Sequence, residues 1–213
     1  MCDEFCEQAK NFIFYYSDPL YAVIPSTFEE YFAQLNHGCQ TLYRKAKRNG
    51  FMVKKVDKIT PKIYKDILSV YRSKKARQNR PINYKYCLMD FSEYDLHEGW
   101  PHLNYNDFKC PRHYYDFYGC FLKGKLVAHL EILHCDELAI TFSTMGHGDY
   151  LKMGIMRYLF IETIRLTMGN IKYLQYGQYV EGDPRLSFLR DLCIIEHDGA
   201  DLLRTVSKNT WLV

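Results

Sequence analysis

Three apolar runs separated by two tight turns constrain this chain more than any other feature. YYDFYGCFL (114–122) leads into Lys123-Gly124-Lys125, LVAHLEILHC (126–135) follows, Asp136-Glu137 turns the chain again, and LAITFSTM (138–145) closes the set. A turn with glycine between two apolar runs is a hairpin signal, so the three runs predict an antiparallel meander. A glycine-containing loop, Gly146–Gly154, comes next. The stretch 151–168 carries Ile155, Leu159, Ile161 and Ile164, which predicts a largely buried helix ended by Gly169. IKYLQYG (171–177) reads as a fourth strand. Strand–helix–strand units cross over right-handedly, so 171–177 is expected to pair in parallel with 138–145. PRLSFLRDL then predicts a short helix and CIIEHD a strand.

The first half is more helical. FEEYFAQLN, preceded by Ser26-Thr27 and with Glu29 and Glu30 in its first turn, predicts a capped helix with Phe28, Tyr31, Phe32 and Leu35 on one face. Residues 39–49 (CQTLYRKAKRN) predict a basic helix stopped by Gly50, and FMVKKVD a strand. Thr60-Pro61 predicts the start of another helix. Residues 81–112, with Pro81, Pro101 and Pro111, read mostly as loop with short helical pieces. No repeat or linker divides the chain. The expected organisation is one domain over 1–213: a helix-rich extension (1–35), a basic helical half with a long loop (36–112), and a core of meander, loop, helix and parallel strand (113–195).

Composition narrows the class. With 213 residues, 47% apolar and 25% charged, the chain can bury a core, and disorder is excluded by its hydrophobicity and its net charge of only +3. Nineteen tyrosines suit a groove for a polar ligand, or equally an AT-rich coding bias. The eight cysteines, with an acidic start lacking an apolar segment, are expected as reduced thiols in a cytoplasmic protein. No apolar run approaches the roughly 18 residues a membrane span needs. Charge is unevenly placed: fifteen Lys and Arg lie between Arg44 and Lys85, against Asp57 and Asp66. Such a patch is a solvated face or a surface for phosphates.

The order of these pieces resembles the core of the GNAT superfamily of N-acyltransferases. It is most similar to the Fem-like aminoacyl transferases that build peptidoglycan bridges, and to their single-domain relatives. The resemblance rests on the hairpin Lys123-Gly124-Lys125-Leu126-Val127-Ala128, the loop Gly146-His147-Gly148-Asp149-Tyr150-Leu151-Lys152, and the strand ending at Gly177. It rests also on the helix with Phe188-Leu189-Arg190-Asp191 and on the basic helix with Arg44, Lys45, Ala46, Lys47 and Gly50. It covers roughly residues 27–195. It implies an α/β (α+β) fold with a mixed, mostly antiparallel sheet flanked by helices, and acyl transfer to an amine. A clean copy of the acetyl-CoA loop Q/R-x-x-G-x-G/A is missing. Acyl-CoA and aminoacyl-tRNA are therefore both open as co-substrates, with no tightly bound cofactor.

The residues of Gly146–Gly154, namely Gly146, His147, Gly148, Asp149, Tyr150, Lys152 and Gly154, are the candidate donor site. Backbone N–H groups at a helix start bind phosphate, and glycines let the backbone come close; a plain strand-to-helix turn is the alternative. An amine nucleophile needs a proton acceptor. Glu131, which shares a strand face with His129 and Val127, is the candidate base if that face lines the cleft; otherwise the pair faces solvent over a core of Leu130 and Ile132. Tyr176 and Tyr179 are candidates for protonating the leaving group, and Asp183 stands behind them. Arg44, Lys45, Lys47 and Arg48, with interleaved tyrosines, form a candidate nucleic-acid or phosphate patch. No metal is expected: Cys110-x-x-His113 and the adjacent His134-Cys135 lack the paired spacing of a zinc site. The alternative to an enzyme is a catalytically silent module of this fold that binds nucleic acid or a protein.

Overall fold

A computed structural model describes residues 19–77, 80–81, 111, 113–178, 186–193 and 195–196. The expected meander is present: β5 (His113–Leu122), β6 (Lys125–Cys135) and β7 (Leu138–Gly146) pair antiparallel in sequence. Lys123 (φ 49°) and Gly124 (φ 77°) both take positive φ, the backbone of a two-residue hairpin turn whose twist matches the strands. Asp136 (φ 52°) serves the second turn. β8 (Tyr173–Gln178) lies parallel to β7. With β1 (Pro19–Val23), β2 (Met52–Lys55) and β9 (Ile195–Glu196), the sheet runs β2-β5-β6-β7-β8-β1-β9. Ala76–Arg77 (β3) and Arg80–Pro81 (β4) form a separate small ladder.

Helices cover both faces. α1 (Phe28–Gln34), α2 (His37–Arg48) and α3 (Pro61–Arg72) start at Thr27, Asn36 and Thr60, whose side chains accept from Glu30, Cys39 and Ile63 N–H. Such caps satisfy donors that the helix itself cannot. α4 (Ile155–Thr167) follows β7, and α5 (Leu186–Arg190) follows β8. α1, α2 and α4 share a core with Tyr118, Cys120, Leu130 and Ile132 of the sheet. α3 packs Tyr64, Ile67, Leu68 and Val70 with Phe117 and Phe121 in a second core. Strand side chains alternate between faces, so the two cores lie on opposite sides of the sheet.

Three expectations are corrected. The N-terminal piece is not only helical, since β1 sits inside the sheet between β8 and β9 with Leu20 and Ala22 buried. The long helix does not begin at 151: Gly148–Met153 is a 3-10 turn, and Gly154 (φ 81°) breaks it from α4. The basic helix begins at His37, because Asn36 caps it. The proline-rich stretch 82–110 lies outside the described residues. No helix among the described residues is long and apolar enough to cross a membrane.

A buried carboxylate ties α2 to α4. Glu162 accepts from the Tyr43 hydroxyl and from Arg165 Nε and Nη2 at 3.0 and 2.7 Å. Burial first, then the Glu162 carboxylate, pushes the Tyr43 hydroxyl well above its ordinary range. Glu162→Ala leaves that hydroxyl without its acceptor in the core, a cost of about 2 kcal/mol. Thermal melts are expected to show a fall of roughly 4–8 °C. In a double-mutant cycle with Tyr43→Phe, most of the loss should disappear; full additivity would rule out the coupling.

Candidate active site

The parallel pairing of β7 with β8 is short. Leu138, Ala139 and Ile140 oppose Tyr173, Leu174 and Gln175, and there it stops. β7 continues to Gly146 paired only with β6, while β8 continues to Gln178 paired with β1. The two strands therefore diverge toward their C-terminal ends. A local cause is visible in β7. Between Glu131↔Ser143 and Ile132↔Thr141 the register slips, so Phe142 is an extra, bulged residue. It is partly exposed and meets Tyr115 edge-on at 5.6 Å. A bulge bends its strand and adds twist, here just beyond the last β7–β8 pair.

A cavity of about 450 Å³ fills the wedge. Thr144, Met145 and Gly146 of β7, Tyr176 of β8, and Gly154, Met156, Arg157 and Phe160 at the start of α4 line it, with Leu151, Lys74, Ala76 and Phe188. α4 starts without a side-chain cap. Its first-turn N–H groups thus meet the requirement for anion binding, and the helix dipole adds to it. Crevices at the carboxyl ends of diverging strands are where open α/β sheets hold ligands.

The loop residues divide among distinct tasks. Gly146 and Gly154 line the cavity. A Cβ at Gly146 would fall on the Met156 sulfur, so this glycine lets the first turn of α4 lie against β7. Gly148 donates its N–H to Ser73 Oγ at 2.8 Å, and Ser73 Oγ donates to Val70 O at 2.6 Å; that N–H holds the loop to the end of α3. His147 donates its N–H to Val127 O at 2.7 Å and accepts from Asp149 N–H at Nδ1, 3.3 Å. Tyr150 packs against Phe51. Asp149 and Lys152 are exposed.

Glu131 is placed by neither arrangement weighed from the sequence. It is buried, as is His129, and so are Leu130 and Ile132 on the other face. A strand covered on both sides explains this: His129 stacks on Phe117 at 5.3 Å and lies 5.8 Å from Tyr71 of α3. Glu131, two residues on, shares that face and does not line the wedge cavity. Tyr176 does line it, with its ring 5.6 Å from Phe160. Tyr179, Asp183 and Cys110 lie outside the described residues. Arg44, Lys47 and Arg48 line a shallow depression of about 460 Å³ on α2 with Thr41, and Lys45 is exposed beside them. His113 and His134 belong to a buried polar cluster. His134 Nε2 lies 3.3 Å from Asp116, which Lys55 pairs at 2.7 Å and Tyr118 bonds at 3.0 Å; His113 lies 3.8 Å from Asp136. Burial raises the Asp116 carboxyl, but His134 and Lys55 together outweigh it and hold the group below its ordinary value. Among the described residues no group of three or more potential ligands is placed to hold a metal, and Cys39, Cys120, Cys135 and Cys193 are thiols.

Several lining residues are not evident from the sequence. Arg157 donates to Asp191 through Nε (3.1 Å) and Nη2, and lies over the Phe188 ring at 5.3 Å. Asn36 Nδ2 also donates to Asp191, at 2.6 Å. The Phe188–Asp191 segment is therefore clamped onto α4 as one wall of the cleft. Lys74 reaches the cavity by laying its methylenes across Gly148. The spacing of Met156 and Phe160, one turn apart on α4, is the one local signal that could have grouped any of them.

An antiparallel meander, a diverging parallel strand and an uncapped helix at the mouth of the wedge make up a GNAT-like α/β fold. Among solved structures the chain is similar to FemX, with a TM-score of 0.61 at 8% identity, over 89% of this chain and 63% of that one. It is also similar to L-PGS from Bacillus licheniformis (0.53, 11% identity, 84% and 57%). The C-terminal domain of a protein from Agrobacterium fabrum assigned as a lysylphosphatidylglycerol synthetase gives 0.52 at 12% identity, over 90% and 64%. The chain thus spans less than two thirds of the length of these proteins, and at such identities the likeness is one of fold. No protein-family model and no curated protein sequence matches it.

Proposed function

We propose that the chain is an N-acyltransferase that takes an acyl group from a donor held in the β7–β8 wedge and passes it to an amine. The observation that carries this reading is the wedge itself, a cavity between diverging strands that opens onto the uncapped start of α4. A thioester donor fits it best. The pyrophosphate of a coenzyme A would lie against the first turn of α4 at Gly154–Arg157, with the exposed Lys74 ammonium near it, and the thioester would lie between the strands. The amine nitrogen attacks the acyl carbonyl carbon. A C–N bond forms, the C–S bond breaks, the amine proton leaves to water in the cleft, and the Tyr176 hydroxyl protonates the departing thiolate. Tyr179 is held in reserve for the same role. Since Glu131 is buried and does not line the wedge, this reading leaves it as the neighbour of His129.

Aminoacyl-tRNA as donor is a second form of the same reading, favoured by the cations along α2. In that case retention on tRNA should weaken steeply with salt, and charge reversal at Arg44 and Lys47 should lower the salt slope by about two. The deciding experiment is titration calorimetry and thermal shift with coenzyme A and acyl-CoAs, followed by turnover with an amine panel. Tyr176→Phe is expected to lower kcat about 10²-fold with Kd unchanged. Binding of neither a thioester nor tRNA would leave a silent module of this fold. Turnover unaffected by Tyr176→Phe would remove the assigned role.

A further inference from the structure

We infer that the acyl group taken by the wedge is apolar and several carbons long, rather than acetyl or a charged aminoacyl group; this rests on the acyltransferase reading above. Three aromatic rings form one continuous wall. Phe160 is fully buried and sits 5.6 Å from Tyr176 and 5.7 Å from Phe188. Met145 and Met156 complete the lining on the β7 side. Methionines are unbranched and polarizable, and they fill the irregular space around a flexible chain. The cations lie at the edges of this wall, and each is held there. The Arg157 guanidinium is committed to Asp191 and the Phe188 ring, and Lys74 is anchored outside the strands by its contact with Gly148.

An ammonium-bearing acyl group would meet the Lys74 cation, and no carboxylate is among the described lining residues; Asp191, beside them, is already taken by Arg157 and Asn36. Like charge in a low-dielectric cleft is unfavourable. An apolar chain, by contrast, replaces water against aromatic and thioether surface and gains affinity with every methylene it buries.

The test is calorimetry on the full chain with coenzyme A and with acetyl-, butyryl-, hexanoyl-, octanoyl- and β-alanyl-CoA. The expected result is that each two-carbon extension from acetyl to hexanoyl tightens binding about tenfold, with β-alanyl-CoA weaker than butyryl-CoA. Phe188→Ala, at a half-buried ring, should flatten the series, so that each two-carbon extension, compared with coenzyme A bound to the same variant, gains much less than the roughly tenfold of the wild type. Circular dichroism of Phe188→Ala confirms that its fold is kept; Met145→Ala supplies a second variant if it is not. Equal affinity for all the acyl-CoAs, with coenzyme A itself bound, overturns the inference and leaves the acyltransferase reading standing. Tighter binding of β-alanyl-CoA than of butyryl-CoA also overturns it. Failure to bind coenzyme A or any thioester overturns the inference together with the thioester form of the reading, and only the aminoacyl-tRNA form would then stand.

Discussion

Gly154→Val is expected to destabilise the protein by about 3 kcal/mol and to abolish donor binding. Two costs combine. Gly154 holds φ 81°, a region that costs an L-residue roughly 1–2 kcal/mol and a β-branched one more. A Cβ there would also sit 3.1 Å from the Leu42 carbonyl oxygen and 3.0 Å from Leu42 Cβ. α2 and α4 are tied together by Tyr43 and Glu162, so the backbone of α2 cannot easily retreat. The residue is also the break between the 3-10 turn and α4, and relaxing its φ would swing the first turn of α4 out of the wedge. Gly148→Ala is the control. The three atoms nearest its Cβ would all be Lys74 methylenes, the closest at 2.6 Å, and a lysine side chain can move aside where the Leu42 backbone cannot. Thermal melts should show a fall of roughly 6–12 °C for Gly154→Val and a much smaller one for Gly148→Ala. Equal effects at the two sites would mean that the left-handed turn is not what shapes the wedge.

Stability is expected to fall by about 3 kcal/mol between pH 6.5 and pH 4 because of His129 alone. Its imidazole is fully enclosed between Phe117 and Tyr71. Burial lowers its pKa from 6.5 to about 4, and the Glu131 charge only partly opposes this. The folded-state pKa is therefore below the unfolded value. The unfolded chain takes up a proton as pH drops through 6.5, while the folded chain holds the ring neutral until about 4. The folded state is undiminished above the unfolded pKa and loses stability progressively across that window, by about 1.4 kcal/mol for each unit of difference. Urea denaturation of the wild type and of His129→Phe, at several pH values, isolates the effect. The variant keeps the ring stacking and should have a flatter profile from pH 6.5 to 4. Parallel profiles would show that the histidine does not titrate between the two states. Asp116 acts lower: its depressed carboxyl pKa gives stability that is present above the unfolded carboxyl value of about 3.9 and lost only as pH falls through the folded one.

Local chemistry determined most of the scaffold. The meander, its glycine turn and the parallel return strand were legible because strand periodicity, x-Gly turns and the crossover rule act over short stretches of chain. The caps at Thr27 and Thr60 were legible for the same reason. The chain alone also placed Gly146 and Gly154 in the loop that meets the cavity, and Tyr176 at the end of the strand beside it. Other features depended on pairing between distant segments. β1 is a strand because β8 and β9 offer it ladder partners, which a stretch containing Pro19 does not announce. The wedge arises where β7 and β8 stop pairing after Ile140 and Gln175, beside a bulge at Phe142 that exists only relative to the register of β6. Glu131 reads as a reachable carboxylate, and only the packed structure shows that its face of the sheet is buried. Lys74, Arg157 and Phe188 come from three distant stretches of the chain, and they line one cavity only because Gly148 yields to a lysine stem and Asp191 holds an arginine. Spacing along a chain encodes which face a side chain takes; which element covers that face, and where two strands part, is decided by packing.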